Sequence, residues 1–272
     1  MKAYVTLLST PNYLDGVLVL ALSLKEAGCH YPLYCMLSPD IDSKVEDTLQ
    51  SLGIRCRRLV SPAVMELPDS SGYDFPHWSH TFDKLLVWGL MEFEKVVFID
   101  SDMLVLRNLD HLFDCDAFSA VSAGRSYPGN GHWSTLNSGL MVLVPDKDVE
   151  AGLIMMARKV IDRAKASDSS VGDQDVIHEY IPGWPQRHDL HLDEGYNVFA
   201  DFLTWYVRHL GYSPDNGSGK PIYVIHFIGK LKPWMRPGLK EFAWLLLMCI
   251  RNPYYFRAYR SYRKRLRSIR QA

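Results

Sequence analysis

The stretch Val97-Phe98-Ile99-Asp100-Ser101-Asp102-Met103-Leu104-Val105 decides how this chain is read. Branched and aromatic apolar residues in succession suit a buried strand. That strand delivers two carboxylates separated by one residue, and a second apolar triplet follows. Two close carboxylates repel each other and are costly to desolvate unless a cation sits between them. Oxygen-rich sites suit Mg2+ or Mn2+, which in turn bridge phosphates. The plainer alternative is a solvated turn after a strand.

Outward from this stretch, strand and helix patterns alternate. Residues 3–8 are short, apolar and β-prone, and the polar turn Ser9-Thr10-Pro11-Asn12 follows. Residues 13–27 carry helical spacing in Leu14, Val17, Leu18, Ala21, Leu22 and Leu24, with Gly28 as the stop. Strands are expected over 31–37, 54–60 and 96–99, and helices over 42–52 and 81–91. Alternation of this kind predicts an α/β domain, a Rossmann-like, mostly parallel sheet flanked by helices on both faces. Ligands of such sheets collect at the carboxyl ends of strands, where residues 8–13 and 100–102 both fall. Further on, a strand is expected over 140–144, a long helix over 146–166, a polar loop over 167–172, a short helix over 173–180 and a strand over 223–227. With no repeat or linker in view, residues 1–238 read as one catalytic domain and residues 239–272 as a tail.

Composition agrees. Among 272 residues, 47% are apolar and 22% charged, ordinary for a globular protein and unlike a disordered, collagenous or coiled-coil chain. A net charge of −1 gives no whole-molecule attraction to nucleic acid. Five scattered cysteines without a CxxC pair argue against a disulfide framework and for a reducing, cytoplasmic compartment. The first residues do not read as a signal peptide, and no apolar run reaches 18 residues.

Four other constellations carry chemistry. In His226-Phe227-Ile228-Gly229-Lys230-Leu231-Lys232-Pro233-Trp234, a neutral imidazole could complete a carboxylate metal site. Gly229 would let backbone N–H groups approach a phosphate, and Lys232 would offer it a point charge. Alone, His226 is as well explained as a hydrogen-bonded core histidine. Asn137-Ser138-Gly139 reads as a turn before a strand, able to contact sugar hydroxyls. Asp173-Gln174 opens a short helix: Asp173 could be a cap, or the pair could grip a sugar and stabilise positive charge at its anomeric carbon. Lys84 and Tyr13 could be a solvated lysine and a helix start, or could touch a charged group and a base.

Taken in order, Tyr4-Val5-Thr6-Leu7, Tyr13, Thr81-Phe82-Asp83-Lys84-Leu85, Phe98 to Val105, Asn137-Ser138-Gly139, Gly172-Asp173-Gln174, Tyr196-Asn197 and His226 to Trp234 resemble family 8 of the retaining glycosyltransferases. That family includes glycogenin, galactinol synthase and bacterial lipopolysaccharide glycosyltransferases. The resemblance implies a GT-A fold, a UDP-glucose or UDP-galactose donor, Mn2+ (or Mg2+) and a glycan or lipid-linked acceptor. It implies Asp100, Asp102 and His226 as metal ligands. Leu7, Ser9, Thr10 and Tyr13 would line the uracil and ribose pocket, and Lys84 and Ser101 would touch the donor. Gly229 and Lys232 would contact the diphosphate, and Asn137, Ser138, Gly139, Asp173 and Gln174 the sugar. Asp173, Gln174 and Lys232 are the candidates for the chemistry itself. Retention leaves two routes open: front-face attack, or double displacement with Asp173 or Gln174 as nucleophile. A self-glucosylating primer and a non-catalytic UDP-sugar-binding module are the alternatives. For the primer, the register puts Thr204, with Tyr206 close by, where a self-modified tyrosine is expected. Acceptor specificity is expected to lie in residues 124–135 and 182–194.

The tail has its own pattern. After Glu241 there is no acidic residue, and Arg251 to Arg270 carry seven arginines and one lysine among Tyr254, Tyr255, Phe256, Tyr259 and Tyr262. Phe242 to Ile250 is an apolar run too short to span a bilayer. The combination suits peripheral attachment to an anionic membrane surface. The plainer alternative is a helix that packs its apolar side on the domain with its arginines in water.

Overall fold

A computed structural model describes residues 1–60, 76–167, 171–215 and 217–271. Its strands are β1 Lys2–Leu8, β2 Leu33–Leu37, β3 Arg55–Arg58, β4 Lys95–Ile99, β5 Met103–Val105, β6 Ala120–Val121, β7 Asn137–Leu143, β8 Val198–Phe199, β9 Tyr212–Ser213, β10 Lys220–Pro221 and β11 Val224–His226. The α-helices are α1 Leu14–Glu26, α2 Ser43–Ser51, α3 Lys147–Ser167, α4 Asp173–Tyr180, α5 Leu203–His209, α6 Leu239–Arg251 and α7 Pro253–Gln271.

The main sheet runs β3-β2-β1-β4-β7-β6. The β1–β2, β2–β3 and β1–β4 pairs are parallel, whereas β7 runs antiparallel to β4 and β6. A second, three-stranded sheet, β5-β11-β8, begins immediately after the carboxylate pair. Its register places His226 opposite Met103 and Phe199, so a histidine more than a hundred residues away is delivered beside Asp102. The Phe227 N–H donates to the Asp102 carbonyl at 3.0 Å and locks this junction.

Two local expectations change. Asn137, Ser138 and Gly139 begin β7 rather than forming a turn. Asn137 pairs with Val121, and the Gly139 carbonyl accepts the Asp100 N–H at 2.8 Å, so neighbours on both sides hold this polar triplet extended. The helix expected over 81–91 is instead a 3-10 helix, Pro76–Gly89. Residues 82–88 in it are all buried, so that stretch has no solvent stripe of the kind an amphipathic α-helix shows. Of the polar loop expected over 167–172, residues 168–170 lie outside the described residues.

The C-terminal helices behave differently from each other. Helix α7 buries Tyr255, Ala258, Tyr262 and Leu266, one stripe at helical spacing, in a core shared with Leu203, Tyr206, Phe227 and Trp234. Tyr262 stacks on Trp234 at 5.8 Å and meets Phe227 edge-on at 5.3 Å. Arg265 and Arg270 pair with Glu26 and Asp15 of α1, each at 2.6 Å. Helix α6 buries only Leu245 and leaves Leu239, Phe242, Trp244, Leu246, Leu247 and Ile250 exposed. No helix among the described residues is long and apolar enough to cross a membrane.

Tyr262 is fully buried, yet its hydroxyl has no partner. Tyr262→Ala should therefore cost about 3–5 kcal/mol, as for other large aromatic truncations. Tyr262→Phe, which removes an unsatisfied hydroxyl, should be neutral or stabilising. Denaturant titration of the two variants checks both signs.

Candidate active site

Strand β4 ends where the chain must turn, and Asp100 and Asp102 are set on that turn. Helix α1 presses on it from one side: a Cβ on Gly16 would lie 2.7 Å from the Ser101 carbonyl oxygen, so no larger residue fits there without movement. Ligand atoms of Asp100, Asp102 and His226 all lie within 4.8 Å of one another. His226 Nε2 is 3.1 Å from Asp102 Oδ1 and 4.0 Å from Asp100 Oδ2.

The hydrogen bonds behind His226 set its proton. Asn197 Nδ2 donates to Asn137 Oδ1 at 2.8 Å, which turns Asn197 Oδ1 toward the imidazole, 3.0 Å from Nδ1. An amide oxygen only accepts, so Nδ1 carries the hydrogen and Nε2 presents a lone pair to the carboxylates. Asp102 Oδ1 is buried and has no hydrogen-bond donor. A lone pair facing a carboxylate oxygen at 3.1 Å calls for a cation between them, and two oxygens with one nitrogen suit Mn2+ or Mg2+. Gly139 makes room for this: a Cβ there would lie 2.8 Å from the His226 ring. Asn197→Ala should therefore weaken divalent-cation binding at this cluster by about 10–100-fold, read with Mn2+ by electron paramagnetic resonance.

Two buried lysines flank the carboxylates. Lys232 Nζ is 2.6 Å from Asp102 Oδ2 and donates to the Phe227 carbonyl at 2.9 Å. Lys84 Nζ lies between Asp100 at 2.9 Å and Asp173 at 3.2 Å, with Ser138 Oγ at 3.3 Å. Burial pushes the Asp102 carboxyl up, but His226 in its protonated form and Lys232 outweigh it and hold the group well below the usual carboxylate range. At Asp100 burial prevails over Lys84, and the carboxyl is raised. Burial alone would lower both ammonium groups, yet their carboxylate partners raise them, so both remain cations.

A cavity of about 770 Å3 opens in front of these groups. Leu7, Ser9, Thr10 and Tyr13 line it from the end of β1, and Asp100, Ser101 and Asp102 from the end of β4. Lys84, Ser138, Asp173, Gln174, Gly229 and Lys232 complete the wall. Gly229 takes φ +89°, a conformation glycine adopts at little cost. Asn137, Gly139 and His226 stand behind the wall. Gln174 Oε1 accepts from Asn137 Nδ2 at 3.0 Å and from the Ser138 N–H at 3.2 Å, and so joins the cavity to the Asn137–Asn197–His226 chain.

The sequence reading missed several groups. Asn12, Asp175, Lys230 and Met235 also line the cavity, and each lies within one or two residues of a motif already singled out. Asn197 was visible only as half of a Tyr-Asn pair, since its role depends on a contact with His226. Asp201, half-buried, has its carboxyl raised by burial against the pull of Lys232, and nothing in its local sequence signals this.

A sheet whose strand ends present a carboxylate pair to a cavity, with a histidine and two lysines beside it, is the arrangement expected of a GT-A glycosyltransferase. The chain belongs to glycosyl transferase family 8, whose model matches residues 4–238. It is 31% identical over 244 residues to glycogenin-1 of Caenorhabditis elegans, covering 86% of this chain and 51% of that protein. To glycogenin-1 of Mus musculus it is 28% identical, covering 86% and 65%. It is 27% identical to UDP-glucuronate:xylan alpha-glucuronosyltransferase 2 of Arabidopsis thaliana, covering 86% and 36%. The chain thus spans between about a third and two thirds of these relatives' lengths. Among solved structures, the galactosyltransferase LgtC in complex with donor and acceptor sugar analogs superposes with a TM-score of 0.63 at 17% identity, covering 98% of this chain and 96% of that one. The likeness in fold therefore extends into the C-terminal helices.

Proposed function

We propose that this chain is a retaining, Mn2+-dependent hexosyltransferase that moves glucose or galactose from a UDP-sugar to a glycan or glycolipid acceptor. The carrying observation is the Asp100–Asp102–His226 cluster, with an orphaned Asp102 oxygen, at the wall of a cavity that also holds Lys232 and Lys84. Asp100, Asp102 and His226 would hold the divalent cation, which when bound supplies Lewis-acid stabilisation to a diphosphate leaving group. Lys232, already charged and fixed, adds a cation where negative charge grows as the glycosidic bond breaks. Tyr13 offers an aromatic face for the uracil. Lys84 holds Asp100 and Asp173 in place. Asp173, 8% exposed at the cavity wall, is set to stabilise positive charge at the anomeric carbon. Of the two candidates for a nucleophile, Gln174 has its carbonyl oxygen engaged by two N–H donors and Asp173 is paired with Lys84, so front-face attack and double displacement both stay open.

UDP release from a panel of UDP-sugars, with Mn2+ and with EDTA, tests this. Metal-dependent release from one donor names the sugar. If neither release nor UDP binding occurs with any donor, the proposal fails.

The self-priming alternative meets a specific obstacle. Thr204 is 7% and Tyr206 1% exposed, and the Tyr206 hydroxyl donates to Glu194. An unchanged protein mass after incubation with UDP-glucose is the expected result.

The tail supports membrane attachment in addition to packing. Phe242, Trp244, Leu247 and Ile250 on α6 are exposed, as are Arg257, Arg260, Lys264 and Arg267 on the following helix α7. Each basic residue near an anionic surface is worth about 1 kcal/mol. The chain should sediment with phosphatidylglycerol vesicles and not with phosphatidylcholine vesicles. Replacing those four basic residues by Gln should lower that affinity at least 100-fold.

A further inference from the structure

Aromatic rings lead away from the metal-ligand cluster on a side that does not line the donor cavity. The Phe199 ring centroid lies 5.6 Å from that of His226, and the Trp133 centroid 6.5 Å from that of Phe199. Three rings converge on one backbone position. A Cβ on Gly124 would lie 2.9 Å from Trp133, 3.0 Å from Phe202 and 3.2 Å from Phe199, and Gly124 also has φ +78°.

The loop carrying Trp133 is held in place. The Tyr127 N–H and Asn130 Nδ2 both donate to the Gly124 carbonyl at 3.1 Å, and the Trp133 N–H donates to the Asn130 carbonyl at 2.8 Å. Ser126 is bonded to Glu194. The indole is thus positioned in advance, with little ordering cost left for binding. Phe199 is buried and Phe202 half-buried, but Trp133 is 37% exposed. Among the described residues outside α6 and α7, no other Trp, Phe or Tyr is exposed. Ser122, two residues before Gly124, is 7% exposed and its hydroxyl has no partner.

We propose that Trp133 is the stacking platform for a pyranose ring of the acceptor, an inference that rests on the transferase reading above. One face of a pyranose presents axial C–H groups, and hydroxyls surround its rim. The electron-rich face of an indole attracts such C–H groups, while unpartnered polar groups nearby suit the rim. The acceptor hydroxyl has to reach the anomeric carbon next to the diphosphate. A platform two ring contacts from His226, on a side of the metal-ligand cluster that does not line the donor cavity, meets that need.

The chain contains seven tryptophans, so 5-fluorotryptophan labelling gives a countable 19F spectrum. The Trp133 resonance is identified by its loss in Trp133→Phe. The labelled protein with UDP and Mn2+ is titrated with methyl β-galactopyranoside, methyl β-glucopyranoside and glycerol. A saturable shift of Trp133 with a pyranoside, and none with glycerol, is expected. No shift, or an equal shift with glycerol, overturns the platform. Trp234, packed on Tyr13 at 5.3 Å, reports UDP binding in the same spectrum. A response to UDP without a response to sugar removes this subsite alone, and a response to neither removes the transferase reading as well. In transfer assays Trp133→Ala should raise the acceptor KM at least tenfold and leave acceptor-free UDP-sugar hydrolysis unchanged. Trp133→Phe should recover most of the loss.

Discussion

Asp102→Asn should lower transfer about 1000-fold, the scale of removing one preorganised charge from a catalytic site, while the fold survives. The change is isosteric, so the consequences are electrostatic. Asp102 Oδ1 faces His226 Nε2 at 3.1 Å, and Oδ2 holds Lys232 at 2.6 Å. An amide supplies no charge to either partner. The proposed cation would lose a carboxylate ligand, and Lys232, buried in the cavity wall, loses its counter-charge. Mn2+ binding by electron paramagnetic resonance should weaken in parallel with transfer, which separates loss of the metal from loss of a purely positional contact. Undiminished transfer with normal Mn2+ affinity would sink the metal assignment. Lys232→Met should behave differently: it removes the cation proposed to face the diphosphate but leaves Asp100, Asp102 and His226 in place, so transfer should fall while Mn2+ affinity is retained or improved.

What could be read from the sequence follows the range of each physical signal. Helix α4 was legible to its end residues because its start and stop are local. Strand β4 and its two carboxylates were legible because a short apolar run and a paired acid are local too. The GT-A fold and the family followed from the order of short strings that each meant little alone. Asn137-Ser138-Gly139 was misread as a turn because its polar residues favour turns locally, while pairing across β4 and β6 keeps it extended. The 3-10 winding of Pro76–Gly89 was hidden because polar and apolar residues alternate in it without a clear helical period. Asn197 acts through the imidazole of His226, twenty-nine residues on, and Gly16 through a carbonyl of the Ser101 turn. Neither contact exists until the sheets are assembled. The basic tail carried two competing readings; α7 packs on the domain, while α6 keeps its apolar face outward.

Lys84→Met should lower both stability and activity, and the two losses are separable. The lysine is 7% exposed, and a methionine of similar length fills its volume without its charge. Two carboxylates, Asp100 and Asp173, then share the site without the cation that lay 2.9 and 3.2 Å from them. Removing one partner of a buried ion pair costs about 3–5 kcal/mol. Asp100 is 25% exposed on its side chain, so water relieves part of this and the lower end is expected. In a chain of this size that corresponds to a fall in Tm of roughly 6–12 °C, measured in EDTA. Mn2+ should return part of it, since a bound dication restores positive charge beside Asp100. A double-mutant cycle with Asp173→Asn should show that the second change costs less in the Lys84→Met background than in the native chain, because Asp173 has then already lost its partner. Transfer should remain depressed even when Mn2+ restores the melting temperature, because the sugar-facing Asp173 is no longer held against Lys84. A solvated surface lysine would give neither the thermal loss nor the coupling, so these measurements decide between the two readings that the local sequence around Lys84 left open.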